Sequence, residues 1–151
     1  MPDDLTGNTG DDVSAWIKEI LNESVDELMR RGVVTATLVE ARPVWSLPFE
    51  IVIGQIRDAD DKSTFKWVIS GAVPVDHVES AVAATPREAA RHFALKWQLD
   101  AVRYRDPSVQ ESLGPELKQG WDQLGERLAT QAEALFELVE TESLWQESGD
   151  S

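Results

Sequence analysis

The chain has no cysteine, a single tyrosine, two methionines and two histidines. Without cysteine there can be no disulfide, zinc–thiolate site, iron–sulfur cluster or thiol nucleophile, a pattern that suits a reducing compartment. With only His77 and His92, neither near the other in sequence, a histidine-based metal site lacks its third and fourth ligands. No stretch approaches the ~20 apolar residues of a membrane-spanning helix. The segment Met1–Asp12 carries Asp3, Asp4, Asp11 and Asp12 but no lysine or arginine, unlike a secretory signal. A cytoplasmic protein is therefore expected. No glycine-rich phosphate loop, dinucleotide fingerprint or Gly-x-Ser-x-Gly elbow occurs, so no cofactor is expected and no catalytic residue stands out.

Positive charge is also scarce. Lysine and arginine total 14 against 28 aspartates and glutamates, for a net charge of −14. All the basic residues lie between Lys18 and Arg127, whereas Glu133, Glu137, Glu140, Glu142, Glu147 and Asp150 crowd the end of the sequence. Such a surface repels phosphate backbones and anionic lipid, which disfavours nucleic acid and membranes as partners. A basic protein partner remains compatible with it, as does a second copy of the chain. The plainer explanation is solubility.

What is present organises the chain as follows. Residues 1–12 are expected to be a disordered acidic tail. From Val13, apolar residues at helical spacing (Trp16, Ile17, Ile20, Leu21, Leu28) predict a helix that Gly32 ends. Val33–Arg42 is β-rich, and Pro43 and Pro48 bracket an extended loop or edge segment. Phe49–Arg57 and Thr64–Gly71 predict two antiparallel strands joined through the turn at Asp58–Ser63. Pro74 and Asp76 are read as opening a short helix through Ala84. Thr85-Pro86-Arg87-Glu88 is a capping box that starts a helix running to about Arg105. Its two apolar stripes, Phe93/Trp97/Ala101 and Leu95/Leu99/Val102, predict burial on both sides. A further helix after Pro115 carries Leu117, Trp121, Leu124, Leu128, Leu135 and Leu138. Strands followed by helices argue an α+β fold: a helix, a small three-stranded antiparallel sheet, then two or three helices packed on it. The expected domain is a single one over 13–145, with 146–151 a second disordered tail.

Tryptophan is the unusual abundance, at six residues. Trp16, Trp97 and Trp121 fall on apolar helix stripes and read as core. Trp45, between two prolines, is the candidate exposed anchor for a partner or else tucks under the Pro43–Pro48 loop, and Trp145 is a lesser anchor candidate. Glu133, Glu137 and Glu140 share one face of the last helix and complete the candidate partner surface; as a solvated face they are equally ordinary. In the alternative reading Asp76, His77 and His92 line a ligand pocket between sheet and helices. Adjacent helical residues do not face each other, so Asp76 and His77 make no dyad by themselves.

The stretch FKWVISGAVPVDHV followed by TPREAARHFALKWQLDAVRY, roughly residues 65–104, resembles a family of uncharacterised bacterial proteins defined only as a domain of unknown function. The resemblance implies a bacterial source and one compact domain. It brings no activity, cofactor or site residue. The resulting expectation is a non-enzymatic acidic protein-interaction module, with a small-molecule binder or enzyme as the alternative.

Overall fold

The computed structural model describes residues 2–34, 39–59 and 65–146. It divides into two compact units, Met1–Pro86 and Arg87–Ser151. The element order is α+β as expected: a helix, an antiparallel sheet, then helices.

In the first unit, helix α1 (Pro2–Arg30) begins well before Val13, with proline at its first position, where a missing N–H costs nothing. Its packing stripe lies in the second half. Leu21 and Leu28 are buried with Val34, Ile56 of strand β2 (Ile51–Asp58) and Val68 of strand β3 (Lys66–Gly71) in one cluster. Burying each such side chain contributes roughly 1.5–3 kcal/mol. Ser24 lies on the same stripe, fully buried, and donates its hydroxyl to the Leu21 carbonyl at 2.6 Å. A small residue there lets the helix approach the sheet with no polar group unsatisfied. Gly32, at φ 76°, takes the left-handed position that stops the helix.

The sheet has four strands in the order β1-β2-β3-β4, all neighbours antiparallel. Strand β1 (Val39–Leu47) is an edge strand that runs through Pro43, and its register slips between Pro43 and Trp45. A bulge there accommodates the proline, which cannot donate to a ladder. The expected strand start at Val33 falls partly on 35–38, and the expected turn partly on 60–63; both stretches lie outside the described residues, as does the tail from 147. In β2, Val52 and Ile53 point to opposite faces and are both almost fully buried. Gly71 ends β3 at φ 118°, where an added Cβ would meet the Glu50 carbonyl oxygen.

The segment expected as a short helix is instead strand β4 (Asp76–Glu79), followed by a 3₁₀ turn at Ser80–Val82. Val78 pairs with Trp67, and the Trp67 indole donates to the Ala83 carbonyl at 3.0 Å. Pairing with a strand already in place outweighs a weak local start signal.

In the second unit, α2 (Pro86–Tyr104) begins immediately after Thr85, as the start signal requires. Asp106 caps the short helix α3 (Pro107–Gln110) by accepting from the Ser108 backbone N–H at 2.9 Å. Helix α4 (Pro115–Glu140) returns antiparallel to α2. Arg87 donates to the Val139 carbonyl at one end of the pair, and Tyr104 meets Trp121 edge-on at 5.3 Å at the other. The buried line of α4 is Gly125, Ala132, Leu135 and Val139; of the expected stripe Leu135 is buried, Leu124, Leu128 and Leu138 are half-buried, and Leu117 is exposed. The reason is close approach: a Cβ on Gly125 would stand 3.0 Å from the Ala101 carbonyl oxygen of α2.

Candidate functional site

The tryptophans do not form an exposed surface. Trp45 is only 9% exposed, because the bulge turns it to the sheet's buried side while Val44 takes the outward position. Trp67, Trp97 and Trp145 are buried as well, and the Trp145 indole donates to the Leu138 carbonyl at 2.8 Å. Trp16 is half-buried against Phe49, with ring centroids 5.4 Å apart. The abundance of tryptophan is thus spent on packing.

Asp76 and His77 lie on a strand, so their side chains leave opposite faces of the sheet. The Asp76 carboxylate accepts from the His77 backbone N–H at 2.8 Å. His92 belongs to α2 in the other unit and is half-buried. A shallow depression on α4, lined by Gln123, Glu126, Arg127, Thr130 and Gln131, includes none of these three residues. Among the described residues, no three of His, Asp and Glu are grouped so as to hold a metal ion.

Glu133, Glu137 and Glu140 are exposed on α4, as the helical spacing predicts. Glu140 stands 3.7 Å from Arg91 of α2, a surface pair of small energetic weight. Phe136, at 37% exposure, is the apolar residue among them.

Sequence reasoning assigned the second apolar stripe of α2 to a covered face. Leu95, Leu99 and Val102 are in fact 46%, 67% and 65% exposed. Their i, i+4, i+7 spacing sets them in one ridge, on the side of α2 away from its buried residues Ala89, Ala90, Phe93, Ala94, Trp97 and Ala101. The cations bordering the ridge are Arg91 on one side and Lys96 and Arg103 on the other, against two acids, Glu88 on the line of the ridge and Asp100, which pairs with Arg103 at 3.8 Å. In a chain of net charge −14, an apolar ridge bordered by cations is a local inversion. The signal was available in the sequence as the helical phase of these three cations.

A second feature that sequence reasoning missed lies on the sheet. The guanidinium carbons of Arg42 and Arg57 stand 4.1 and 4.3 Å from the centroid of the same ring, Phe65. Strand register produces it, since Arg42 faces Gln55 and Glu40 faces Arg57 across β1 and β2. Arg42 donates through Nε and Nη2 to the Gln55 side-chain oxygen, and Arg57 reaches Glu40 at 3.2 Å.

The family described as "Domain of unknown function (DUF4826)" matches residues 11–145. The chain belongs to it. The match extends well beyond residues 65–104, where the resemblance was read, and takes in both the α2 ridge and the Arg42–Phe65–Arg57 stack. No curated protein and no solved structure matches the chain. Among the described residues of this DUF4826 protein, no helix is long and apolar enough to cross a membrane.

Proposed function

We propose that this protein is a protein-interaction module whose contact surface is the outer ridge of α2. The observation that carries the reading is the exposure of Leu95, Leu99 and Val102 between flanking cations. Contiguous apolar side chains at a surface are a usual mark of a docking face, and flanking charges select the partner. The occupant that fits is an amphipathic helix of another protein, apolar along one stripe and flanked by aspartate or glutamate. Self-pairing fits poorly. An antiparallel register that sets Leu95 against Leu99 of a second copy also sets Lys96 beside its own counterpart and Glu88 against Asp106. Like charges so placed are unfavourable. The acidic face of α4 would suit the basic partner expected from net charge, but Phe136 is its sole apolar anchor among Glu133, Glu137 and Glu140.

The test uses two synthetic helices with the same leucine stripe, one flanked by glutamate and one by lysine. The full-length protein should bind the glutamate-flanked helix, more weakly as salt rises, and Leu99→Glu should abolish that binding without loss of folding. Equal binding of both helices, binding of neither, or concentration-dependent dimerisation that Leu99→Glu removes would overturn the reading.

A further inference from the structure

We infer that the first unit carries a second, independent contact surface: the exposed ring of Phe49, backed by Trp16 and bordered by carboxylates, receives an arginine of a basic segment on a partner protein. Leu47–Glu50 is the β-turn between β1 and β2, closed by the Glu50 N–H donating to the Leu47 carbonyl at 2.9 Å. Pro48 fills its second position and Phe49 its third, at φ 62°. Glycine or asparagine ordinarily takes a positive φ there, and a bulky residue is an outlier. Phe49 is moreover 54% exposed. The turn thus holds a large apolar ring outward, where neither backbone preference nor burial favours it. Its setting is fixed: the ring leans on Trp16 of α1, with centroids 5.4 Å apart and planes at 43°, and the Glu50 carbonyl accepts from the Ala72 N–H at 2.7 Å. A pre-organised aromatic presented to solvent is the kind of anchor that partner surfaces use.

The charge around the pair selects the occupant. On α1, Asp12, Trp16, Glu19 and Glu23 follow at i, i+4, i+7 and i+11, so the three carboxylates share the ridge that carries the indole. All three are exposed, as is Glu50, the neighbour of Phe49 in the chain. Among the described residues none of these four carboxylates meets a cation. Glu27 of the same helix, by contrast, is met by both Arg30 and Arg31. Lys18 is two positions from Trp16 and so belongs to another side of α1. An aromatic face beside uncompensated carboxylates is what a guanidinium satisfies, stacking flat on the ring while its edge donors fork to an acid. An acidic helix of the kind proposed for α2 is repelled here, so the two surfaces take different partners.

The test is titration of the full-length protein with a synthetic arginine–glycine peptide and with its citrulline counterpart, which keeps the shape without the charge. The Phe49 ring and Trp16 indole signals are followed by NMR. The arginine peptide should shift both saturably, more weakly as salt rises, and the citrulline peptide should not. Phe49→Asn suits the turn's positive φ. It should weaken binding about tenfold or more, as loss of an anchor does, with a urea midpoint unchanged or raised, so that the loss does not come from a damaged fold. Glu19→Gln with Glu23→Gln, both exposed, should also weaken binding and flatten its salt dependence, and this variant decides alone should Phe49→Asn lower the midpoint. Leu99→Glu on α2 should change nothing. Equal binding of the two peptides, or binding that survives either set of substitutions, would overturn the proposal. So would an equal loss with Glu133→Gln and Glu137→Gln on α4, by showing general attraction to an acidic chain. Self-association of the protein that Phe49→Asn removes would overturn it too, since a second copy would then be the occupant.

Discussion

On one side of α2, Phe93, Ala94, Trp97 and Ala101 are buried; on the other, Leu95, Leu99 and Val102 stand in water. Both sides are apolar, and helical periodicity gives them equal standing. They differ in what flanks them and in size. The buried side mixes alanines with two aromatics, a combination that lets backbones come close around large rings, as Phe93 and Trp97 do at 6.2 Å between centroids. The exposed side has only branched aliphatics, with cations along both edges. The covered face of α2 is thus marked by small residues among large ones, and its exposed face by uniform mid-sized residues with charged borders.

The strongest way to break this comparison is to make the same truncation on each side. Trp97→Ala should cost roughly 3–5 kcal/mol, the usual range for an aromatic removed from a core. Leu99→Ala should fall within about 0.5 kcal/mol of wild type, as exposed substitutions do. Urea unfolding of the two variants measures both. Equal losses would mean that the ridge is part of the core and not a free surface.

Next in size is the contact that fixes the buried side against α4. A side chain on Gly125 would bring its Cβ to 2.7 Å from Cγ of Arg105 and 3.0 Å from the Ala101 carbonyl oxygen. Gly125→Leu should therefore destabilise by about 1–3 kcal/mol, the common penalty of overpacking. Alanine is the less decisive substitution, because its better helix propensity, about 1 kcal/mol, opposes the clash. Gln110 offers a polar counterpart. It is buried, and its amide donates to the Tyr104 carbonyl and, at 2.7 Å, to the Asp122 carboxylate. Gln110→Leu leaves both acceptors unmet and should cost about 1–3 kcal/mol in the same assay. An unchanged urea midpoint in that variant would show that water satisfies these acceptors.

The elements with strong local chemistry were legible in the sequence. Thr85-Pro86 started α2, Gly32 ended α1, and the runs Phe49–Arg57 and Thr64–Gly71 with turn residues between them predicted the central hairpin. Where the outcome depended on a distant pairing, the sequence misled. Strand β4 is four residues long, too short for periodicity to declare itself, and exists because Trp67 and Val68 offer it a ladder. Trp45 was offered as an exposed anchor because prolines flank it, with tucking under its loop as the alternative; it is buried, since an edge strand still presents one face to the core and the bulge after Pro43 directs the indole there. Of the residues chosen in advance for a site, Glu133, Glu137 and Glu140 are where they were expected, Trp45 is not, and Asp76, His77 and His92 do not form one constellation within either unit. The α2 ridge was seen as apolar but assigned a neighbour, since helical phase says which residues share a face and nothing about what covers it.

The smallest effect expected is at the C-terminal end of α2, and it has a definite sign. The Ser108 backbone N–H, with the Ser108 hydroxyl, donates to the Asp106 carboxylate and holds its pKa below the ordinary aspartate value. Glu27 is lowered likewise by hydrogen bonds from Arg30 and then Arg31. For a carboxyl whose pKa is lower in the folded state, the unfolded chain binds the proton more readily. The stabilisation is complete above the unfolded carboxyl range, ~3.9 for aspartate, and is lost as pH falls through the lower folded value. Asn at position 106 can still cap the helix but has no proton to gain. The advantage of wild type over Asp106→Asn should therefore be largest near pH 6 and shrink as pH is lowered toward 2, measured as the difference between their urea midpoints. A difference that stays constant with pH would show that the shape of the cap matters here and its charge does not.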